Sequence, residues 1–380
     1  MRSILQQFKG DRVIWVVMIL LTIYSGLAVA SSVAALVFRD GGNATTHIVR
    51  HFGFLAVGWI LIFIIHRVPY RLYSGWANVI LAISILLLVY TLAFGEHINE
   101  ASRSVRVLGI SFQTSDFAKV GLIIFVARFL SRNQTEIHDF KKGFLRVMAW
   151  IAIVCGLILP HNFSTAAILF ATCLVLLFIG RIKFLYLAGL VAAGVVLLLL
   201  VIFIGKNTSA DVREGTWQKR LEQRFSKDAN PEEAFQSERA RVAIANGGMF
   251  GKFAGHSTQR RSLPQAYSDF IFAIVIEEYG FLFGALPLMF LYLVLLYRAG
   301  VIVRKCDRTF PAFLVFGLMF GLVIQAVVNM GVSSGLLPVT GQPLPWVSRG
   351  GTSILFTAIS IGIILGVSKT VNEEAAVEQE

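Results

Sequence analysis

Charge is scarce in this chain. Of its 380 residues only 15% are Asp, Glu, Lys or Arg, whereas soluble domains carry about 25%. Cysteine is scarce as well. Cys155 and Cys173 lie inside apolar segments and Cys306 in a short basic loop, so no disulfide framework is implied. The alternating segments of about 10 residues that build a transmembrane β-barrel are missing. So are a P-loop, a dinucleotide fingerprint and any nucleic-acid motif. The net charge of +12 therefore points to a positive-inside bias and anionic lipid heads, and not to nucleic acid.

What the chain has in abundance is hydrocarbon: 56% hydrophobic residues and a mean hydropathy of +0.72. Apolar runs of roughly 18 residues recur along its length, which predicts an all-α, polytopic integral membrane protein. About ten spans are expected, at Val13–Ser32, Phe52–Ile65, Ala77–Phe94, Phe117–Leu130, Leu145–Leu159, Thr165–Gly180, Leu185–Ile204, Phe281–Tyr297, Pro311–Val328 and Ser353–Ser368. The basic start, Met1 to Arg12, runs into an apolar stretch too long for an ordinary signal peptide. Despite Ala28-Val29-Ala30 it reads as an uncleaved anchor. Lys and Arg gather at the N-terminus and in the even-numbered loops. The odd-numbered short loops hold Arg39, Arg50, Arg103, Arg106 and Arg349, so both termini are expected in the cytoplasm. Residues 1–372 form one transmembrane domain, and the acidic stretch 373–380 is expected to be a disordered cytoplasmic tail.

One long outer loop, 205–270, separates spans seven and eight. Trp217, Leu221 and Phe225 recur there at helical spacing among Lys219, Arg220 and Arg224, as in an interfacial helix that could offer guanidinium groups to a lipid phosphate. Asn246-Gly-Gly-Met-Phe-Gly251 and Gly255 allow tight turns and close backbone approach to a ligand. At the loop's end, Asp269, Glu277 and Glu278 sit at or inside the hydrocarbon boundary, where a carboxylate costs a few kcal/mol and is a functional-site hypothesis by default. For the two glutamates, pairing with cations at a helix end weighs equally. Asp116 and Lys119, three residues apart, share a helix face at the outer end of span four, and a snorkelling lysine is the inexpensive reading. Between spans nine and ten, 338–351 contains Pro338, Pro343 and Pro345 with Gly341, Gly350 and Gly351, which forbids a continuous helix and predicts a folded-in loop. Gly317 and Gly321 mark close helix packing.

Four stretches carry a resemblance. They are Gln113-Thr-Ser-Asp-Phe-Ala-Lys119; Gln236 with Gly247-Gly248 and Phe250-Gly251; Leu263-Pro264 with Ser268-Asp-Phe-Ile-Phe-Ala273 and Glu277-Glu278; and Gly335-Leu-Leu-Pro-Val-Thr-Gly341 with Leu344-Pro345 and Ser348 to Ser353. In this order, over nearly the whole chain, they resemble the shape-elongation-division-sporulation family, which includes FtsW and RodA. The FtsW type is favoured by Gln259 to Asp269 and Ser348-Arg-Gly-Gly-Thr352, and the RodA type by Val339-Thr340 before Pro343-Leu-Pro345. The chain departs from the family pattern at Pro160-His-Asn-Phe-Ser-Thr-Ala166, at Phe253, and at Arg349.

The resemblance implies a peptidoglycan glycosyltransferase of cell division. It would polymerise lipid II, an undecaprenyl-pyrophosphate disaccharide peptide, at the outer face of the cytoplasmic membrane. Its partners would be a class B penicillin-binding protein and other division proteins. It maps the family's essential aspartate to Asp269, and its lysine and acidic residue to Lys119 and Asp116. On that reading Asp269 is the catalytic base. Lys119, Arg220, Arg224, Ser348 and Arg349 are candidates for pyrophosphate contact, and Asp116, Glu277 and Glu278 are supporting acids. A divalent metal such as Mg or Mn suits a pyrophosphate leaving group, with Asp116 and Asp269 as its weak candidate ligands. The rivals are a RodA-like elongation polymerase and a flippase or transporter of a lipid-linked precursor, which ten spans and intramembrane charges also suit.

Overall fold

The computed structural model describes residues 9–40, 43–94, 96–98, 101–107, 110–190, 192, 231–263 and 266–377. Nine of the ten expected spans fall within these residues. They are α1 (Arg12–Asp40), α2 (Ala44–Ile65), α3 (Tyr70–Phe94), α4 (Thr114–Arg132), α5 (Arg146–Ile158, entered through a π-helical turn, Phe140–Leu145), α6 (Phe163–Ile179), the pair α8 (Ile271–Gly280) and α9 (Leu286–Arg304), α10 (Thr309–Ser333) and α11 (Thr352–Val377). Of the seventh span, only residues 184–190 and 192 are described, and they are helical. Six of the described helical segments are long and apolar enough to cross a membrane by length and composition. The short second and fourth spans are completed by flanking residues, as their length required. A small antiparallel meander, β1 (Glu96–Ile98), β2 (Ala101–Val107) and β3 (Ile110–Phe112), joins α3 to α4.

The core is built around α11, which is buried along most of its length and lies against α2. Its packing needs small residues. A Cβ at Gly362 would lie 2.8 Å from Ile65, and one at Gly317 of α10 would lie 2.7 Å from Ile123 of α4. The first span belongs to this core: Ala28 and Val29 are buried, and Thr22 accepts from the Trp346 indole.

The chain's two ends meet at one end of the bundle. Asp11 caps α1 through the amides of Val13 and Ile14 and pairs with Arg298 of α9. Lys9 pairs with Glu373, and Arg71 approaches Glu374 at 3.9 Å. Of the expected disordered tail 373–380, residues 373–377 are helical, and 378–380 lie outside the described residues. α11 continues to Val377, its acidic residues being held by cations from the chain's start and from α3.

The eighth span also differs from expectation. Helix α8 (Ile271–Gly280) starts ten residues earlier than the apolar run suggested, so Glu277 and Glu278 lie within a helix instead of ahead of one. Gly280 then breaks it, with φ +74°, and a π-helical turn (Phe281–Ala285) leads into α9 (Leu286–Arg304). Within the long loop, α7 (Pro231–Gly247) packs on α8 and is latched to the end of α10 by Arg241 donating to Gly335 O. The expected interfacial helix with Arg220 and Arg224 lies outside the described residues.

The glycine-rich turn after α7 explains the break. Gly247 and Gly251 press on the backbone of α8 so closely that a Cβ on either would overlap Ile276 O or Glu278 O. The Phe281 and Leu282 amides donate to Gly248 O and Met249 O, and the Lys252 amide to Glu277 O. These glycines thus approach the protein's own helix end; the expected ligand is not what their closeness serves.

Gly251→Ala should therefore destabilise the protein by about 1–3 kcal/mol, since Gly251 combines φ +81° with a backbone overlap. Gly248→Ala, at φ +52° with open space around it, should cost less. Thermal melting of both variants in detergent checks the order.

Candidate functional site

Three polar residues recur every fourth position on α10, at Gln325, Asn329 and Ser333, and all are buried. One turn, about 6 Å, separates each from the next. They organise the site, and spacing alone could have revealed them in an otherwise apolar span.

Gln325 serves α4. The Lys119 ammonium lies 2.7 Å from Asp116 Oδ1 and donates to Gln325 Oε1 at 3.1 Å, while Gln325 Nε2 donates to Pro343 O. The shared face of Asp116 and Lys119 is as expected. Snorkelling is not: the lysine points into the bundle, beside a narrow cavity lined by Asp116, Gln325, Thr172 and Ser360. Asp116 Oδ2 is buried without a hydrogen-bond partner among the described residues.

Asn329 serves the other half. Its Nδ2 donates to Asp269 O at 2.9 Å and to Gln342 O at 2.8 Å, and Ser333 adds a longer bond to Asp269 O. Asp269 is 6% exposed, in the turn just before α8. Its carboxylate accepts from the Ser268 hydroxyl at 2.9 Å. Gly341 faces it so closely that a Cβ there would lie 3.7 Å from Oδ2.

The Pro/Gly-rich loop is folded in, as expected. Residues 344–348 form one buried turn, anchored by Trp346 at φ +68°. Several of its polar groups are satisfied within the protein. Ser25 donates to Val347 O, the Arg349 amide to Tyr267 O, and Gln342 Nε2 to Thr165 Oγ1 and Asn162 Oδ1. Asn162, in the stretch that departs from the family pattern, also caps α6 through the Thr165 amide.

The remaining candidates divide. Ser348 is 1% exposed and spans two backbones, donating to Ser268 O and accepting from Leu344 N. It positions Asp269's neighbour and presents nothing to a phosphate. Arg349 is half-buried over the Tyr267 ring, with Nη2 3.0 Å from His47 Nδ1. Glu277 accepts from the Ser257 hydroxyl, from Thr258 twice and from the Gln259 amide, with Lys252 at 3.7 Å. Glu278 accepts from Ser31 and the Ser257 amide. Both glutamates accept from the 257–259 turn; of the expected cation partners, Lys252 lies near Glu277, whereas the donors to Glu278 are a hydroxyl and a backbone amide. Among the described residues no three His, Cys, Asp or Glu side chains converge on a metal-sized site. Asp116 is moreover engaged by a lysine. The described donor set does not fit a protein-held metal, and no step below runs through one.

With this geometry in view, the comparisons with known proteins are decisive. Residues 11–373 match the FtsW/RodA/SpoVE family, described as cell cycle protein. The chain belongs to this family. Among its relatives, a probable peptidoglycan glycosyltransferase FtsW of Coxiella burnetii is 32% identical over 371 residues, covering 93% of this chain and 95% of that protein. Stage V sporulation protein E of Bacillus subtilis is 33% identical over 335 residues, covering 84% and 86%. A solved structure described as structural coordination of polymerization and crosslinking by a peptidoglycan synthase complex superposes with a TM-score of 0.75 at 24% identity, covering 94% of this chain and 97% of that one. The rod shape determining protein RodA of Thermus thermophilus superposes at 0.69 with 22% identity, covering 94% and 96%. The likeness of these two structures is one of fold. The family and the helices together make the chain a multi-pass membrane protein.

Asn329→Leu should strip the donor from Gln342 O and leave Asp269 O with the longer Ser333 bond alone. A buried acceptor left unpaired costs roughly 1–3 kcal/mol. The expected result is a melting temperature several degrees lower and faster proteolysis in 338–343. Ser334→Ala, whose hydroxyl bonds only within its own helix, should change neither.

Proposed function

We propose that this chain is an FtsW-like peptidoglycan glycosyltransferase, extending glycan strands from lipid II at the outer membrane face during division. The observation that carries the reading is the α10 stripe, which ties a carboxylate turn to an ammonium group. Gln325 holds Lys119 and, one turn away, Asn329 holds the backbone of Asp269.

The reaction needs those two groups. A sugar hydroxyl attacks the anomeric carbon of a second sugar, the bond to the lipid pyrophosphate breaks, and the hydroxyl proton must leave. Asp269 takes that proton as general base. Lys119 meets the charge that develops on the departing pyrophosphate. Asp116 is a positioning residue that keeps the lysine inward until phosphate oxygens replace its carboxylate. Arg220 and Arg224 remain proposed phosphate contacts from the long loop. A divalent ion such as Mg or Mn, where one acts, would take most of its ligands from the pyrophosphate.

The site lies at the opposite bundle end from Lys9, Arg71, Glu373 and Glu374, which supports cytoplasmic termini and an extracytoplasmic site. A class B penicillin-binding protein as partner fits the synthase complex with which this fold superposes.

Asp269→Asn should lower glycan polymer yield by about 10²–10⁴-fold while binding lipid II nearly as well as wild type. Lys119→Ala should weaken lipid II binding as well as turnover. Polymer assays on monodisperse protein with its transpeptidase check both. Normal polymer from Asp269→Asn refutes the base assignment, and normal polymer with failed lipid translocation favours a flippase.

In a background lacking the native cysteines, single cysteines at Ser237 and Ser334 should react with an impermeant thiol reagent on spheroplasts, and one at Thr135 should not. The reverse pattern overturns the sidedness.

A further inference from the structure

At the bundle end away from the site, α4 and α5 enclose an open cleft of about 370 Å³. Arg128, Arg132 and Arg146 line it together with Asn78, Phe125 and Trp150. Arg128 and Arg132 are one turn apart on α4, and Arg146 and Trp150 one turn apart on α5, so two helices bring three guanidinium groups to one place.

Among the described residues nothing acidic answers them. No carboxylate lines the cleft, and none of the ion pairs among the described residues involves these arginines. Lys9 and Arg71 at the same end do have carboxylates near them. Among the described residues the three make one hydrogen bond, a long one from Arg128 Nη1 to Gly75 O at 3.4 Å. A positive-inside bias places arginines at this end, but does not make them converge across a cleft.

The floor is apolar. Trp150 stands edge-on to Phe125, their centroids 5.9 Å apart, with Leu81 and Phe129 beside them. Trp150 is 38% exposed toward the open side. Cations on one side and an aromatic, half-exposed floor on the other match a molecule with an anionic head and a hydrocarbon tail. Guanidinium forks bind phosphate oxygens bidentately, and basic pockets between transmembrane helices suit anionic headgroups.

We propose that this cleft is a binding site for an anionic phospholipid of the leaflet that holds the chain's termini. Its phosphate is received by Arg128, Arg132 and Arg146, and an acyl chain lies along Phe125 and Trp150. The site is separate from the Asp269–Lys119 network and does not depend on the function proposed for it.

Native mass spectrometry of the full chain tests this, with phosphatidylglycerol and phosphatidylcholine offered in separate detergent samples. Wild type should retain phosphatidylglycerol and not phosphatidylcholine. The triple variant Arg128→Gln, Arg132→Gln, Arg146→Gln should lose at least roughly tenfold of that retention. The control Arg12→Gln, Arg304→Gln, Arg308→Gln removes the same charge at the same end and should keep it. Equal loss in both variants means diffuse electrostatics and overturns the site, and so does retention unchanged in the first. Inorganic phosphate displacing the lipid at equal concentration assigns a small-anion site instead. No retention by wild type, as a cleft filled by a partner's acidic helix would give, also overturns it. A brominated phosphatidylglycerol adds a readout independent of folding defects: it should quench wild-type fluorescence more than that of Trp150→Phe. Equal quenching removes the acyl-chain placement.

Discussion

Non-helical backbone inside a membrane must find every hydrogen bond within the protein, because hydrocarbon offers none. The loop 338–351 and the turn 266–270 both break the helical ladder in the buried part of this bundle, and the structure depends on how their carbonyls and amides are satisfied. A single amide, Asn329 Nδ2, serves one carbonyl from each segment. The Ser348 hydroxyl does the same from the loop side, joining Ser268 O to Leu344 N. The two irregular segments are therefore stitched to each other and to α10. Helices α4 and α6 join through Gln325 and Gln342. A site residue on any of these elements inherits the rigidity of all of them.

The same economy appears where α8 ends. Gly280 lets the helix turn, the glycine-rich turn after α7 fills the gap, and Glu277 and Glu278 bind the 257–259 turn over it. A fully buried carboxylate is tolerated at Glu277 because it accepts from several donors on both oxygens, as burial of charge requires. This is a hinge-like position made stiff. The break redirects the span while the amides of Phe281 and Leu282 stay paired with the glycine-rich turn.

How much of this could be read beforehand follows from locality. Spans were legible because hydrophobic runs are local, and Asp116 with Lys119 because three residues on a helix share a face. The folded-in loop was legible because proline and glycine cannot hide. The start of α8 was not: Ile271 to Ile276 reads equally as loop end or helix, and only packing on α7 decides. Nor could the target of Gly247 and Gly251 be read, since a glycine declares closeness without saying to what. The partners of Glu277, some twenty residues away, were hidden for the same reason. Gln325, Asn329 and Ser333 were legible in principle, as polar residues at a period of four inside hydrocarbon, but each alone looks like an ordinary tolerated polar side chain.

Three carboxylates at one membrane boundary thus have different fates, and the difference lies in which atoms their neighbours hold. Glu277 has both carboxylate oxygens engaged by donors of the 257–259 turn, so its charge is consumed in holding a fold. For Asp269 the donors Asn329 and Ser333 grip the backbone carbonyl, while Ser268 orients one carboxylate oxygen. Fixing a residue by its main chain sets where its side chain begins. Lys119 shows the complementary solution. Its ammonium is held by two side-chain oxygens, of Asp116 and Gln325, which on the proposed function phosphate oxygens would replace. Preorganisation of this kind requires groups whose supports are rigid and whose reactive atoms are exchangeable. On the proposed function Lys119 meets that requirement, and Glu277, with both oxygens engaged by the 257–259 turn, does not.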